Sequence, residues 1–103
     1  MKILIVDNND VGKAPQSERV VTVCLEAMGN PDFGQDPNRP VAAHKMVTVE
    51  GIDHASRVCR EYIESNLIGA GNWTGGQMYL NGKFIGKISY NGRFWPRGHE
   101  YAK

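Results

Sequence analysis

The sequence predicts an α+β fold: an antiparallel sheet of five to six strands, one amphipathic helix, and a C-terminal three-stranded meander in a single domain over residues 1–103. Three observations predict it. Asn81-Gly82 and Asn91-Gly92 punctuate apolar runs in the last third of the chain, and Asn-Gly is the strongest short hairpin signal. One segment alone has sustained helical periodicity, and β-branched clusters recur before it.

Taken in order, Lys2-Ile3-Leu4-Ile5-Val6 reads as a buried strand that Asp7-Asn8-Asn9-Asp10 ends. Residues 18–28 fit helical spacing through Val20, Val21, Cys24, Leu25 and Met28. The Val20-Val21-Thr22-Val23 cluster nonetheless favours a strand there. Residues 29–43 hold Pro31, Pro37 and Pro40 with Gly34, which argues against regular structure. The segment is either a solvated connector or a binding lid using Asp32, Phe33 and Arg39. Residues 45–50 read as a short strand.

The helix is expected over 53–67, with Asp53 as its cap and Gly69 closing it in a left-handed conformation. Ala55, Val58, Cys59, Tyr62, Ile63 and Leu67 form its apolar stripe. Arg57 with Glu61 and Arg60 with Glu64 face solvent at i,i+4, each pair worth about 0.3 kcal/mol.

Two-residue turns at both Asn-Gly pairs would set the register of the meander. Tyr79 then faces Phe84, Met78 faces Ile85, Tyr90 faces Arg93, Ser89 faces Phe94 and Ile88 faces Trp95. One face would gather Tyr79, Phe84, Ile88, Tyr90, Arg93 and Trp95; Lys83, Lys87 and Ser89 would lie on the other. Both faces carry apolar groups and there is one helix to cover them. A second copy of the chain or a ligand is expected to shelter the surplus, so a homo-oligomer is expected.

Composition marks an ordinary soluble protein, 41% hydrophobic and 22% charged. No run is long enough to span a bilayer, and no cleavage-site pattern follows the short apolar start. A cytoplasmic protein is expected (the host cytoplasm, if the source is viral), with no membrane partner. Cys24 and Cys59 lack CxxC spacing and read as buried thiols. Net charge is +1, but residues 77–103 carry +4 through Lys83, Lys87, Arg93, Arg97 and Lys103 against Glu100. The first 76 residues carry −3. A basic, aromatic C-terminal third suits a small anionic ligand, and its modest total makes nucleic acid an unfavoured partner.

No catalytic constellation can be built from spacing. His44, His54 and His99 are scattered, so no metal site is expected, and no nucleophile has an oriented base. No cofactor is implied. The glycine-rich Gly69-Ala70-Gly71-Asn72-Trp73-Thr74-Gly75-Gly76 follows a helix instead of preceding one, which is the wrong order for a phosphate loop. Its Trp73 still offers a stacking face. In Ser89-Tyr90-Asn91-Gly92-Arg93-Phe94-Trp95, Arg93 offers a planar fork of donors for phosphate beside aromatic rings, and Arg97 adds charge. The candidate ligand-binding residues are Trp73, Asn91, Arg93, Phe94, Trp95 and Arg97.

The start MKILIVDNND is similar to the first strand of response-regulator receivers and of glutamine amidotransferases. The repeated βα units of the one and the Gly-x-Cys-x-Gly turn of the other are missing. Gly71-Asn72-Trp73-Thr74-Gly75-Gly76 and the Ser89 to Trp95 segment resemble those of short phage and prophage proteins. Among named groups the chain resembles the phage anti-Thoeris sponges. That resemblance implies a small cytosolic oligomer, not an enzyme, that sequesters a cyclic ADP-ribose immune signal. It also implies that Arg93 with Asn91 and Phe94 or Trp95 contacts the ligand. The alternatives are a protein-binding inhibitor of a host nuclease or defence complex and, third, a single-stranded nucleic-acid binder.

Overall fold

The computed structural model describes residues 19–98; the expected strand at 2–6 and His99, Glu100 and Lys103 lie outside them. Five strands and one helix follow in the order β1 (Val21–Leu25), β2 (Lys45–Val49), α1 (Ile52–Ser65), β3 (Gln77–Leu80), β4 (Lys83–Ile88) and β5 (Phe94–Pro96). The α+β class and the C-terminal meander are as expected. The sheet runs β2-β1-β3-β4-β5, antiparallel at every pairing. Because β2 and β3 flank β1, the β2–α1–β3 connection crosses over it, a split βαβ unit joined to a meander.

Residues 21–25 settle as a strand, and the reason is burial on alternate positions. Val23 and Leu25 face the core, while Thr22 and Cys24 point the other way. From α1, Ala55, Cys59, Tyr62 and Ile63 meet Val23, Leu25, Val49, Met78 and Ile88 in one cluster. Burial pushes the Cys59 thiol up to about 12, with the neighbouring Cys24 adding to it, so it stays protonated as a packed hydrophobe.

Both expected helix ends are corrected. Gly51, not Asp53, is the N-cap, and Asp53 sits in the first turn. At the other end the left-handed residue is Leu67 (φ 55°), whereas Gly69 is extended (φ −84°). The amide N–H of Ile68 reaches the carbonyl of Ile63 at 2.9 Å and that of Leu67 reaches Glu64 at 3.4 Å, the paired bonds of a Schellman ending. Ile68 is thereby buried and Leu67 is thrown out, 91% exposed. Leu67 therefore leaves the apolar stripe to which its spacing assigns it.

The proline-rich loop is pinned at its base. Gly29 donates to Arg39 and Val41 to Ala27 through the backbone. Buried Asn72 donates from Nδ2 to the Met28 carbonyl (2.8 Å) and to Gln35 Oε1 (2.9 Å), which also accepts from the Asn30 amide. These bonds satisfy an otherwise costly set of enclosed polar groups.

Candidate ligand-binding face

The meander has two unlike turns. Asn81 (φ 50°) and Gly82 (φ 84°) both adopt positive φ, as a two-residue type I′ turn requires. Leu80 pairs with Lys83 and Tyr79 with Phe84, as expected. The second turn departs from expectation. Gly92 is left-handed (φ 92°) but Asn91 is not. The Gly92 amide donates to the Ser89 carbonyl and the Ser89 amide to the Arg93 carbonyl, each at 2.8 Å. This is a type I turn followed by a left-handed glycine, a three-residue loop.

One additional loop residue slips the register by one. Ile88 pairs with Phe94 and Lys87 with Trp95, instead of Ile88 with Trp95 and Ser89 with Phe94. A second slip comes from a bulge at Ile85, so Met78 faces Gly86 and not Ile85. Gly86 (φ 156°) has no room for a side chain: an added Cβ would lie 2.5 Å from the Phe94 ring. Each single-residue slip exchanges the two faces of a strand. Ile88 and Tyr90 therefore turn to the helix side, while Lys87 and Ser89 join Arg93, Trp95, Tyr79 and Phe84 on the side away from α1.

The helix holds the second turn in place. Ser56 Oγ donates to the Gly92 carbonyl at 2.7 Å, and Arg60 donates to the Tyr90 carbonyl while lying over the Tyr90 ring at 5.3 Å. Tyr90 itself donates its hydroxyl to the Ile68 carbonyl at 3.1 Å. Arg93 leaves this fixed turn toward the open face and places its guanidinium carbon 4.2 Å from the centre of the Trp95 ring. That contact is a cation–π stack that leaves the edge N–H groups of Arg93 available.

Two cations thus border one indole. Lys87 is the cross-strand partner of Trp95 on one side and of Gln77 on the other. The ion pairs drawn among the described residues are His44–Glu26 (3.7 Å) and Arg60–Glu64 (3.2 Å), and neither involves Lys87 or Arg93. Trp95 Nε1 and Gln77 Oε1, at the two ends of this row, are enclosed and lack a hydrogen-bond partner. One strand step further along the same face, Tyr79 and Phe84 make an edge-to-face pair with centroids 6.0 Å apart.

The six candidate residues separate accordingly. Arg93 and Trp95 come together on the open face. Asn91 serves the turn, its Oδ1 accepting from Ser89 Oγ and from the Arg93 amide. Phe94 packs against the core. Arg97 is exposed just past β5, its amide bonded to the Ile85 carbonyl. Trp73 is 8% exposed, tilted against Tyr62, and donates from Nε1 to the Ile88 carbonyl at 3.1 Å; its ring is a core element with no face free for stacking. The glycines beside it serve chain crossing, since a Cβ on Gly76 would lie 2.0 Å from the Ile88 carbonyl oxygen.

Sequence reasoning missed Lys87, Gln77 and the placement of Tyr79 and Phe84 beside them. The available signal was Gly86, whose position opposite Met78 marks a bulge. Among the described residues no helix is long and apolar enough to cross a membrane, and no cluster of three His, Cys, Asp or Glu side chains could hold a metal ion. No family model, curated protein or solved structure matches this chain.

Proposed function

We propose that the protein binds, without chemical turnover, a nucleotide-type anion on the open face of its meander. One observation carries the proposal: Arg93 is stacked on Trp95, Lys87 is the cross-strand partner of the same residue, and neither cation has an acidic partner among the described residues. A planar base needs a flat, polarisable surface, and a phosphate needs fixed donors of positive charge. This row supplies both on one rigid sheet.

In this reading the chain works as a cytoplasmic oligomer that sequesters its ligand, and the class suggested by the anti-Thoeris resemblance is a cyclic ADP-ribose signal. The test is a thermal-shift screen with cyclic ADP-ribose isomers and cyclic dinucleotides, with ligand mass checked after incubation. A rise in melting temperature, loss of that rise in Arg93→Ala, and unchanged ligand mass are expected. An unshifted melt across the panel would overturn the proposal, and a cleaved ligand would overturn sequestration.

A further inference from the structure

The open face holds two aromatic stations, not one, and they are separated. The first is the Arg93–Trp95 stack on β5. The second is the Tyr79–Phe84 pair across β3 and β4. The row containing Tyr79 and Phe84 lies two β3 residues from the row of Gln77, Lys87 and Trp95. With about 3.3 Å per residue along a strand and about 4.8 Å between strands, the backbone positions of Phe84 and Trp95 stand roughly 8 Å apart. Lys87 lies between them, on the strand shared by both rows.

A mononucleotide fills one such station and leaves the other bare. Bases in a stacked duplex strand rise only ~3.4 Å per step, too little to reach both. Two bases splayed onto separate rings and joined by a bridging phosphate match the spacing, because proteins that read unpaired nucleotides hold each base on its own aromatic or guanidinium plane. The cation required by that phosphate is where Lys87 stands, within reach of Arg93. We infer that the ligand of this face is a dinucleotide unit, with one base on Tyr79 and Phe84, the other on the Arg93–Trp95 stack, and the linking phosphate at Lys87. The inference rests on the nucleotide-binding reading above and takes a two-base ligand in place of a cyclic ADP-ribose, which carries one base. The unit has two sources, a cyclic dinucleotide or a stretch of single-stranded nucleic acid, and they share this chemistry.

The test is a titration of the whole chain, followed by tryptophan fluorescence, with cyclic ADP-ribose, AMP and GMP, linear pApA and pGpG, cyclic di-AMP and cyclic di-GMP, and a mixed-sequence DNA hexamer. At least one two-base probe is expected to bind tenfold or more tightly than either mononucleotide. Tyr79→Leu and Phe84→Leu keep apolar bulk but remove the rings. Each should weaken the two-base probe roughly five- to hundredfold and weaken either mononucleotide by less, while Lys87→Ala weakens the two-base probe. A melting curve of each variant confirms that it is folded. Equal affinity for one and two bases, or indifference to both leucine variants, overturns the dinucleotide unit and leaves a one-base site standing. Silence from every probe overturns both readings. A preference for the hexamer over the cyclic probes assigns the unit to single-stranded nucleic acid, and the reverse order assigns it to a cyclic signal; either order supports the inference.

Discussion

Asn81-Gly82 and Asn91-Gly92 are the same dipeptide in the same meander, yet they fold differently. The first makes the type I′ turn that its residues favour, with nothing within 4 Å of where a Gly82 Cβ would sit. The second is drawn into a three-residue loop by Ser56, Arg60 and Ile68, which take the Gly92 and Tyr90 backbone and the Tyr90 ring. Local preference decides a turn in open water; against a helix, the bonds on offer decide it. The difference also sets which side chains share a face, because the longer loop is what brings Lys87 to the face of Arg93.

Four substitutions sharpen or break that contrast, a fifth probes the helix ending, and equilibrium unfolding in urea measures each. Gly92→Ala should be the most damaging, at about 2–3 kcal/mol. It combines a left-handed alanine, ~1–2 kcal/mol, with a Cβ 3.0 Å from Ser56 Oγ that disturbs a bond worth ~1 kcal/mol. Gly82→Ala carries the first term alone, so equal losses at the two glycines would refute the anchoring by α1. The asparagines should rank the other way. Asn81→Ala forces a positive φ on alanine and loses the Oδ1 bond to the Val20 amide, for about 1–2 kcal/mol. Asn91→Ala loses only turn bonds, about 0.5–1 kcal/mol. One effect has the opposite sign. Leu67→Gly, at a left-handed and exposed helix ending, should stabilise the protein by about 1 kcal/mol; a loss of stability there would mean that the leucine packs against something.

Most of the architecture was legible before any coordinates. The first hairpin, the strand at 21–25, the strand at 45–49 and the helix follow from turn chemistry and spacing, which act over a few residues. What stayed hidden depends on distant partners. The second turn answers to Ser56 and Arg60, whose partners lie 36 and 30 residues further along the chain, and no local pattern shows that dependence. Trp73 sits among glycines and so reads as exposed. Those glycines instead let β3 pass close to β4 and to the segment after β1, where a Cβ on Gly75 would lie 2.5 Å from the Glu26 amide. Arg93 and Trp95 were visible from their chemistry, because an arginine beside an indole suits a phosphate and a base in most registers. Lys87 was not, because its face is set by the slip of a single residue.

The central position of β1 has a consequence for how the protein is made. Its neighbours on either side are β2 and β3, so during synthesis it leaves the ribosome first among these strands and can pair early along one side only. Roughly 55 residues must still be added before β3 is complete, about 3–11 s at 5–20 residues/s. Through that interval the nascent chain presents a bare β-edge, Val21 to Leu25, to whatever else is in the cell. The stretch from β3 onward supplies both the proposed ligand face and the strand that ends this exposure.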